Sequence, residues 1–253
     1  MSYEEFLVDQ DLPICKACMT QYPAPRTDCP ICLDPRQFVP PTGQAWTSLR
    51  KLTEEKHTNK IVPDEQDERF YSTSLTWARC LKVPLIIASA DKHWFQRLSE
   101  VKEGEVEWFD NEAAISDEVN VIQCGGHFPG SAVLHWDRSL EPEFASDKHC
   151  RTGIILCSDT AMVQPTQLGF TFQWSVPNMI PLNPHEMKGI ADRLGNIPFE
   201  QATSTWPHRF IRKDARKVLL DSIRKQIHHM GLVEEGGKFR VGSKSEMEHE
   251  RVY

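Results

Sequence analysis

Four cysteines near the N-terminus have the spacing of a metal site. Cys15 and Cys18 form one C-x-x-C pair, Cys29 and Cys32 form a second, and ten residues separate the two pairs. Four thiolates complete the tetrahedral shell of a zinc ion and leave no open position. The pattern predicts a structural zinc site, with two disulfides or a set of unrelated thiols as the alternatives. A redox pair is disfavoured because neither C-x-x-C unit stands between a strand and a helix.

The segment that carries these pairs is too short to bury a core. Residues 1–43 contain several prolines and little apolar periodicity. A bound ion must therefore supply much of the folding free energy of this segment. We expect a small zinc knuckle and its connector to end near Gly43.

His127 is a second residue that could take part in chemistry. The apolar segment VNVIQC runs into Gly125 and Gly126, and His127 follows at once. A polar side chain at a turn beyond a strand end commonly faces a cleft, and neutral imidazole is a common zinc ligand. The alternative is a histidine that is hydrogen-bonded for structural reasons, which is our interpretation of His135 in the next strand.

A third such position is Asp159. The apolar segment GIILC is followed by Ser158 and Asp159, and the ends of strands are where an α/β sheet delivers carboxylates to a site. A turn or helix cap explains the same residues equally well when this motif is read alone. Both interpretations stay open at this point.

The elements that would position these side chains alternate between strand and helix patterns. Apolar runs predict strands at residues 84–89, 105–110, 119–124, 131–136 and 153–158, and helical spacing predicts helices at 74–81, 92–98, 184–194 and 214–227. This mixture predicts a layered α/β domain over residues 44–233. Residues 234–253 are charged and poor in large apolar side chains, which predicts a disordered polar tail.

Composition and charge limit the partners. A net charge of -7 disfavours nucleic acid, including binding by a zinc ribbon, because phosphate binding needs a basic face. No apolar run approaches the roughly 20 residues that span a bilayer, and the acidic N-terminus lacks the features of a secretory signal. We therefore expect no membrane partner and a cytoplasmic location, with the nucleus as the alternative.

In a reducing compartment the scattered cysteines should be small buried hydrophobic residues: Cys80, Cys124, Cys150 and Cys157.

Together these motifs resemble a branch of the metallo-β-lactamase superfamily, common in fungi, that carries an N-terminal cysteine knuckle. The matching segments, in the family's order, are C-x-x-C-x-x-x-Y-P, C-P-I-C-x-D-x-R-Q-x-V-P-P-x-G-Q-x-W-T, Y-S-T-x-L-x-W-A, A-D-K-x-W, G-G-H-F-P-G-S-x-V-L-H-W, S-D-T-x-M-V and W-S-x-P-N-x-I-P-L. They extend from Cys15 to about Ile227. The resemblance implies an αββα sandwich with a metal centre between two sheets. It also implies a zinc-dependent hydrolase that cleaves an ester, amide or similar bond of a small-molecule substrate.

The same resemblance implies roles for three residues of that centre. His127 matches a histidine ligand on the loop after the first ligand group, and Asp159 matches a carboxylate that bridges two metal ions. His208, in the segment TWPHRF, is similar in position to the last histidine ligand of the family.

One motif of the family is absent. In the family a His-x-His cluster precedes the Y-S-T segment, whereas this chain reads DERFYST at residues 67–73 and has no histidine between His57 and His93. The strands that come before that cluster are missing as well, which indicates an internal truncation near residues 68/69. Each ion of a two-metal centre would then keep at most two protein ligands, and two ligands make a poor zinc site.

The sequence therefore predicts a truncated, metallo-β-lactamase-like hydrolase homologue that is catalytically impaired, with one structural zinc ion and a doubtful second site. The alternative is a non-enzymatic binding module that the zinc stabilises. An active centre would need ligands from elsewhere, and His57 and His93 are the first candidates. The lost strands would leave part of a sheet exposed, so we also expect self-association.

Overall fold

The computed structural model describes residues 9–34, 37, 39, 41–56, 74–139 and 153–243. The chain divides into two units: Met1–Asp110 with Ser175–Met179, and Asn111–Trp174 with Ile180–Tyr253. The domain boundary near Gly43 stays a prediction. Within the first unit, Trp46 and Trp94 pack against the buried cluster that contains the cysteines.

The first unit consists of short elements. In chain order they are β1 (Ile14–Cys15), β2 (Trp46–Thr47), α1 (Leu49–Glu54), α2 (Ser74–Leu81), β3 (Leu85–Ala88) and β4 (Val106–Phe109). Strands β1 and β2 are antiparallel, whereas β3 and β4 are parallel. The helix predicted at residues 92–98 is wrong: 3-10 turns occupy Ser89–Trp94 and Leu98–Glu100, because Phe95 takes an extended conformation between them.

A buried ionic network ties the start of the chain to α2. Arg97 is 0% exposed, and its guanidinium donates to Oδ2 of Asp9 at 3.2 Å and to Oε1 of Gln21 at 3.0 Å. It also donates to the Thr76 hydroxyl, which in turn donates to the same Asp9 oxygen at 2.6 Å. Glu100 supplies a second carboxylate. A buried guanidinium is tolerated only with such partners, because its desolvation is costly.

The second unit is built on a six-stranded mixed sheet. Its spatial order is β14 (Phe210–Ile211), β13 (Gln201–Thr203), β8 (Ile154–Leu156), β7 (Ala132–Trp136), β6 (Val119–Gln123) and β5 (Glu112–Ala114). Strands β13 and β8 run parallel, and the other neighbours are antiparallel. The remaining elements are β9 (Met162–Val163), β10 (Phe170–Thr171), β11 (Gln173–Ser175), β12 (Ile180–Pro181), α3 (Pro184–Leu194), α4 (Ala215–His229), β15 (Leu232–Glu235) and β16 (Lys238–Val241).

Helices α3 and α4 supply much of the core of the second unit. Helix α3 begins as the sequence predicts, with Pro184 in its first turn and the Asn183 side chain accepting from the amide of Glu186. Both helices bury one apolar face with the sheet; the buried residues are Met187, Ile190 and Leu194 in α3, and Leu219, Ile223 and Ile227 in α4.

The C-terminal segment differs from the predicted disordered tail. Strands β15 and β16 form an antiparallel hairpin, and Leu232 and Phe239 pack against the core. The turn uses Gly236 and Gly237, both at positive φ (58° and 79°), which is the backbone that a tight hairpin turn requires. Residues 244–253 lie outside the described part of the chain.

The mixed α/β class is confirmed. The described residues contain the six-stranded sheet and five two-stranded sheets, and the site of the predicted truncation, near 68/69, lies outside them. No helix in the described ranges has the length and apolarity to cross a bilayer. Of the scattered cysteines, Cys124 and Cys157 are buried as predicted and Cys80 is exposed instead; Cys150 is outside the described residues.

Candidate metal centres

Four cysteine sulfurs converge in the first unit. The Sγ atoms of Cys15, Cys18, Cys29 and Cys32 all lie within 4.8 Å of one another. The Cys15–Cys32 and Cys18–Cys29 sulfurs are 3.7 and 3.6 Å apart. Four sulfurs bonded to one tetrahedral zinc ion stand roughly 3.8 Å apart, so the donor set fits a metal ion. A disulfide needs about 2.05 Å and all four thiols are free, so the disulfide alternative is wrong.

The same turn brings each pair of sulfurs together. The amide of Met19 donates to the carbonyl of Cys15 at 2.8 Å, and the amide of Leu33 donates to the carbonyl of Cys29 at 3.0 Å. In each case the residue after the second cysteine closes the turn onto the first cysteine. The two turns face each other, so each contributes two sulfurs to the four-cysteine cluster.

Polar side chains surround the sulfurs. The Tyr22 hydroxyl lies 3.0 Å from Cys29 Sγ, and the Thr20 hydroxyl lies 3.2 Å from Cys18 Sγ. Oε1 of the Gln44 amide is 3.3 Å from Cys15 Sγ, and its buried Nε2 has no hydrogen-bond partner among the described residues. Amide nitrogen and oxygen are assigned rather than observed; a half-turn of this amide satisfies Nε2 with a Cys15 thiolate. In this structure the Cys18 thiol donates to the Thr20 hydroxyl; with the sulfurs as thiolates, all three groups can donate to them, as the outer partners of a metal site do.

The protonation of the cluster also favours a cation. Hydrogen bonds from Cys18 and Tyr22 lower the pKa of Cys29 to about 4. Burial raises the pKa of Cys32 to about 12. Cys29 is therefore already a thiolate at neutral pH, whereas Cys32 keeps a proton that a bound ion would displace, because only thiolates are metal ligands.

A second candidate centre lies in the second unit, where His127 and Asp159 meet. Both residues are buried. His127 Nδ1 is 2.8 Å from the carbonyl oxygen of Gln173, so Nδ1 carries the proton and donates it. Nε2 is then the nitrogen that can bind a metal. It lies 3.8 Å from Asp159 Oδ2, which is too long for a hydrogen bond.

Two glycines make the turn that aims His127. Gly125 and Gly126 have φ values of 70° and 92°, a region that other residues rarely adopt. A Cβ on Gly126 would stand 3.0 Å from Leu182 Cδ2 and 3.3 Å from Ile190 Cδ1. The chain therefore needs glycine here for its backbone conformation and for close packing.

Parallel strands explain the position of Asp159. Leu156 at the end of β8 is in register with Thr203 at the end of β13, so the residues after both strands emerge at the same edge of the sheet. Ser158 adopts a positive φ of 52°, which turns Asp159 back toward that edge. Thr205 then donates from Oγ1 to Asp159 Oδ1 at 3.1 Å.

The structure brings together two of the three residues that the resemblance assigns to the hydrolase centre. His208 is exposed on the loop after β13 and belongs to no ligand group with His127 and Asp159. Within the described ranges, the four cysteines are the one cluster of three or more potential ligands. His93 is exposed in the first unit, and His57 lies outside the described residues. His135 is buried and its Nε2 lies 3.1 Å from the Pro198 carbonyl oxygen, as a structural histidine would.

Sequence reasoning missed several groups that hold the candidate ligands. Thr205, the Gln173 carbonyl and Gln44 sit outside the strand-end patterns that pointed to His127 and Asp159. Tyr22 stands within the C-x-x-C-x-x-x-Y-P motif, so its spacing was a usable signal. The others depend on strand pairing, which the sequence did not reveal.

Comparisons with known proteins give distant matches. No protein-family model matches the chain. The uncharacterised protein YmaE of Bacillus subtilis (strain 168) is 23% identical over 248 residues, covering 74% of this chain and 86% of YmaE. An N-acyl homoserine lactone hydrolase, with its product bound at the catalytic metal centre, covers 58% of this chain and 42% of its own at 10% identity and a TM-score of 0.25. A likeness that weak does not establish a shared fold.

Proposed function

We propose that this chain is a metallo-β-lactamase-like hydrolase homologue that holds one structural zinc ion and has lost most of its hydrolytic capacity. The observation that carries the zinc assignment is the convergence of four cysteine sulfurs within 4.8 Å. Soft thiolate ligands in a tetrahedral arrangement favour zinc over harder cations. With four protein ligands the shell is closed, so this ion stabilises the fold and does not bind a substrate.

The hydrolase lineage is supported by the side chains that the G-G-H and S-D-T segments deliver. These segments belong to different strand ends, yet His127 and Asp159 face each other across 3.8 Å. Each is held by a neighbour through one polar atom, His127 Nδ1 by the Gln173 carbonyl and Asp159 Oδ1 by the Thr205 hydroxyl. That is the arrangement expected of metal ligands. The full αββα sandwich and a small-molecule substrate remain parts of the proposal.

The length of the match to YmaE supports an internal loss. The alignment covers 74% of the 253 residues, about 187 residues, but runs over 248 positions. YmaE therefore has residues at many aligned positions where this chain has none. An internal loss near residues 68/69, as the resemblance implies, would require such unmatched positions.

The impairment follows from ligand number. A zinc ion in such a centre acts as a Lewis acid that polarises the bond to be cleaved and activates water. His127 and Asp159 are two ligands, and catalytic zinc sites use three protein ligands. We expect weak metal occupancy at this centre and low turnover.

A non-enzymatic binding module is the second candidate, and the knuckle turns favour it. Met19 and Leu33, which close the two C-x-x-C turns, are 47% and 62% exposed. Apolar side chains presented on rigid, metal-held turns are suited to contact a protein partner. Metal stoichiometry and turnover separate this candidate from an active hydrolase.

Elemental analysis and activity assays test the proposal. We expect about one zinc per chain and near-background hydrolysis of lactone, thioester and phosphodiester substrates, unchanged in His127→Ala. If the purified protein contained no zinc, the assignment of a structural zinc site would be wrong. Two or three zinc ions with turnover that His127→Ala or Asp159→Ala abolishes would overturn the impairment.

A further inference from the structure

The side-chain amide of Gln44 reaches the four-cysteine cluster from outside the two C-x-x-C turns. Its Oε1 lies 3.3 Å from Cys15 Sγ, and its buried Nε2 has no hydrogen-bond partner among the described residues. We propose that Gln44 is a positioning residue of the metal site, whose Nε2 donates to the thiolate of Cys15 when the ion is bound. This inference rests on the proposed structural zinc site and gives it a partner from the connector.

Backbone pairing places Gln44 beside Cys15. Strands β1 and β2 pair Cys15 with Trp46, two residues after Gln44, and the amide of Lys16 donates to the carbonyl of Ala45 at 2.8 Å. Trp46 also packs against the buried cluster that contains the cysteines. The residues that follow Gln44 are therefore fixed against the cluster, which keeps the Gln44 amide next to the Cys15 sulfur.

Burial gives the Cys15 thiolate a need for a donor. Cys15 is 0% exposed, and a buried charge is costly unless it is paired or hydrogen-bonded. Among the described residues, its sulfur contacts Cys32 Sγ at 3.7 Å and Gln44 Oε1 at 3.3 Å. Cys29 already has a hydroxyl group at its sulfur, that of Tyr22 at 3.0 Å. Gln44 is the residue in the corresponding place for Cys15.

The orientation of the amide decides whether Gln44 helps or opposes metal binding. With Oε1 toward Cys15, the amide accepts from the protonated thiol, but it would present a second acceptor to a thiolate. With Nε2 toward Cys15, the amide donates to the thiolate and the buried Nε2 gains a partner. The two ends of an amide have nearly the same shape, so one side-chain position allows both. The thiolate, which is the form that binds metal, therefore selects the Nε2 orientation.

The first test measures zinc affinity by competition between the zinc-loaded full chain and a chromophoric chelator. Gln44→Met keeps the length of the side chain and removes its donor. We expect it to bind zinc about 10- to 100-fold more weakly than wild type, the loss typical when an outer partner of a metal site is removed. Gln167→Met, at an exposed glutamine of the second unit, is the matched control and should bind as wild type does. A side chain that served packing alone would leave the affinity of Gln44→Met unchanged, and that result would overturn the inference.

The second test reads the orientation of the amide in the wild-type chain. Zinc is replaced by an NMR-active isotope of cadmium, a soft cation that suits thiolate ligands. A proton that is hydrogen-bonded to a ligand sulfur then shows a scalar coupling to the metal nucleus. We expect this coupling for the side-chain amide of Gln44. Its absence would contradict the donation to Cys15, and this measurement decides the matter even if Gln44→Met does not fold.

The inference and the proposed function fail in different ways. A wild-type chain that binds no zinc would contradict the structural site and the role of Gln44 together. One zinc per wild-type chain, with equal affinity in Gln44→Met, would contradict the role of Gln44 alone and leave the structural site intact.

Discussion

The guanidinium of Arg97 and the carboxylate of Asp9 lie 3.2 Å apart, and no part of Arg97 reaches solvent. The same guanidinium contacts Gln21, whose neighbour Tyr22 places its hydroxyl on Cys29 Sγ. A continuous set of contacts therefore links this ion pair to the four-cysteine cluster. The stability of the first unit and its retention of metal should depend on each other.

Replacing Arg97 by Met should destabilise the first unit strongly. The variant leaves Asp9 buried without its cation, and removing one partner of a buried ion pair costs roughly 3–5 kcal/mol. Urea denaturation followed by far-ultraviolet circular dichroism measures the change, and zinc content should fall in parallel. Arg50→Met is the control, because the Arg50–Asp11 pair is largely exposed and such pairs contribute little. Equal stability of Arg97→Met and Arg50→Met would contradict the network's importance.

Replacing Cys32 by Ser should remove the knuckle ion and unfold the N-terminal segment. Three thiolates leave the tetrahedral shell incomplete, and the folding of this segment depends on the metal. Elemental analysis and limited proteolysis should show loss of about one zinc and new cleavage before residue 44. Cys80→Ser changes an exposed cysteine of α2 and should retain the metal; unchanged zinc content in Cys32→Ser would refute the site.

Acid should destabilise the first unit partly through Glu105. The Arg79 hydrogen bonds lower the pKa of Glu105 from 4.5, so the ionised side chain stabilises the folded state above the unfolded pKa. That stabilisation is lost as the pH falls through the lower folded pKa. Wild type should exceed Glu105→Gln in urea resistance at pH 7, and the difference should shrink below pH 4.5. Glu112→Gln, at an exposed glutamate of β5, is the control for the loss of one carboxylate.

Replacing Gly126 by Ala should destabilise the second unit and displace His127. The substitution adds backbone strain at φ 92° and a Cβ 3.0 Å from Leu182, which together cost about 2–4 kcal/mol. Gly104→Ala shares the positive φ but has no atom within 4 Å of the added carbon, so it measures strain alone. Chemical denaturation of both variants separates the two effects, and equal losses would show that packing at Gly126 is unimportant.

Self-association through the six-stranded sheet remains a prediction. Its edge strands, β5 and β14, are short, and β5 carries Glu112, features that limit edge pairing. Light scattering across a concentration series measures the association. If the protein were monomeric at all concentrations, the prediction of self-association would be wrong.

Local patterns predicted many elements because they depend on neighbouring residues. Helix α2 spans Ser74–Leu81 and α3 spans Pro184–Leu194, as their helical spacing indicated. Strands β6, β7 and β8 of the six-stranded sheet also lie within segments that the sequence predicted as strands. Strands of two residues, such as β9 and β14, are too short to show alternation of apolar and polar residues. The hairpin β15–β16 was not predicted because its charged residues interrupt the apolar pattern of a strand.

The same distinction between local patterns and contacts remote in sequence applies to the candidate sites. The cysteine cluster follows from spacing within one short segment, and the His127 and Asp159 positions follow from strand ends. The burial of Arg97 depends on Asp9 and Gln21, which are remote in sequence. The hydrogen bond from Thr205 to Asp159 depends on the parallel pairing of β8 with β13. Such partnerships arise only when the chain is folded, because no local period encodes them.

Residues 175–179 belong to the first unit, although the residues on both sides of them belong to the second. Within the first unit, the side-chain nitrogen of Asn178 donates to the carbonyl oxygen of Gln37 at 3.4 Å. During synthesis, residues 1–110 leave the ribosome well before residues 175–179, so the first unit cannot be completed while residues 111–174 are being made. Nascent chains arrested before residue 175 should therefore expose a protease-sensitive first unit, and chains arrested far enough beyond residue 179 should protect it.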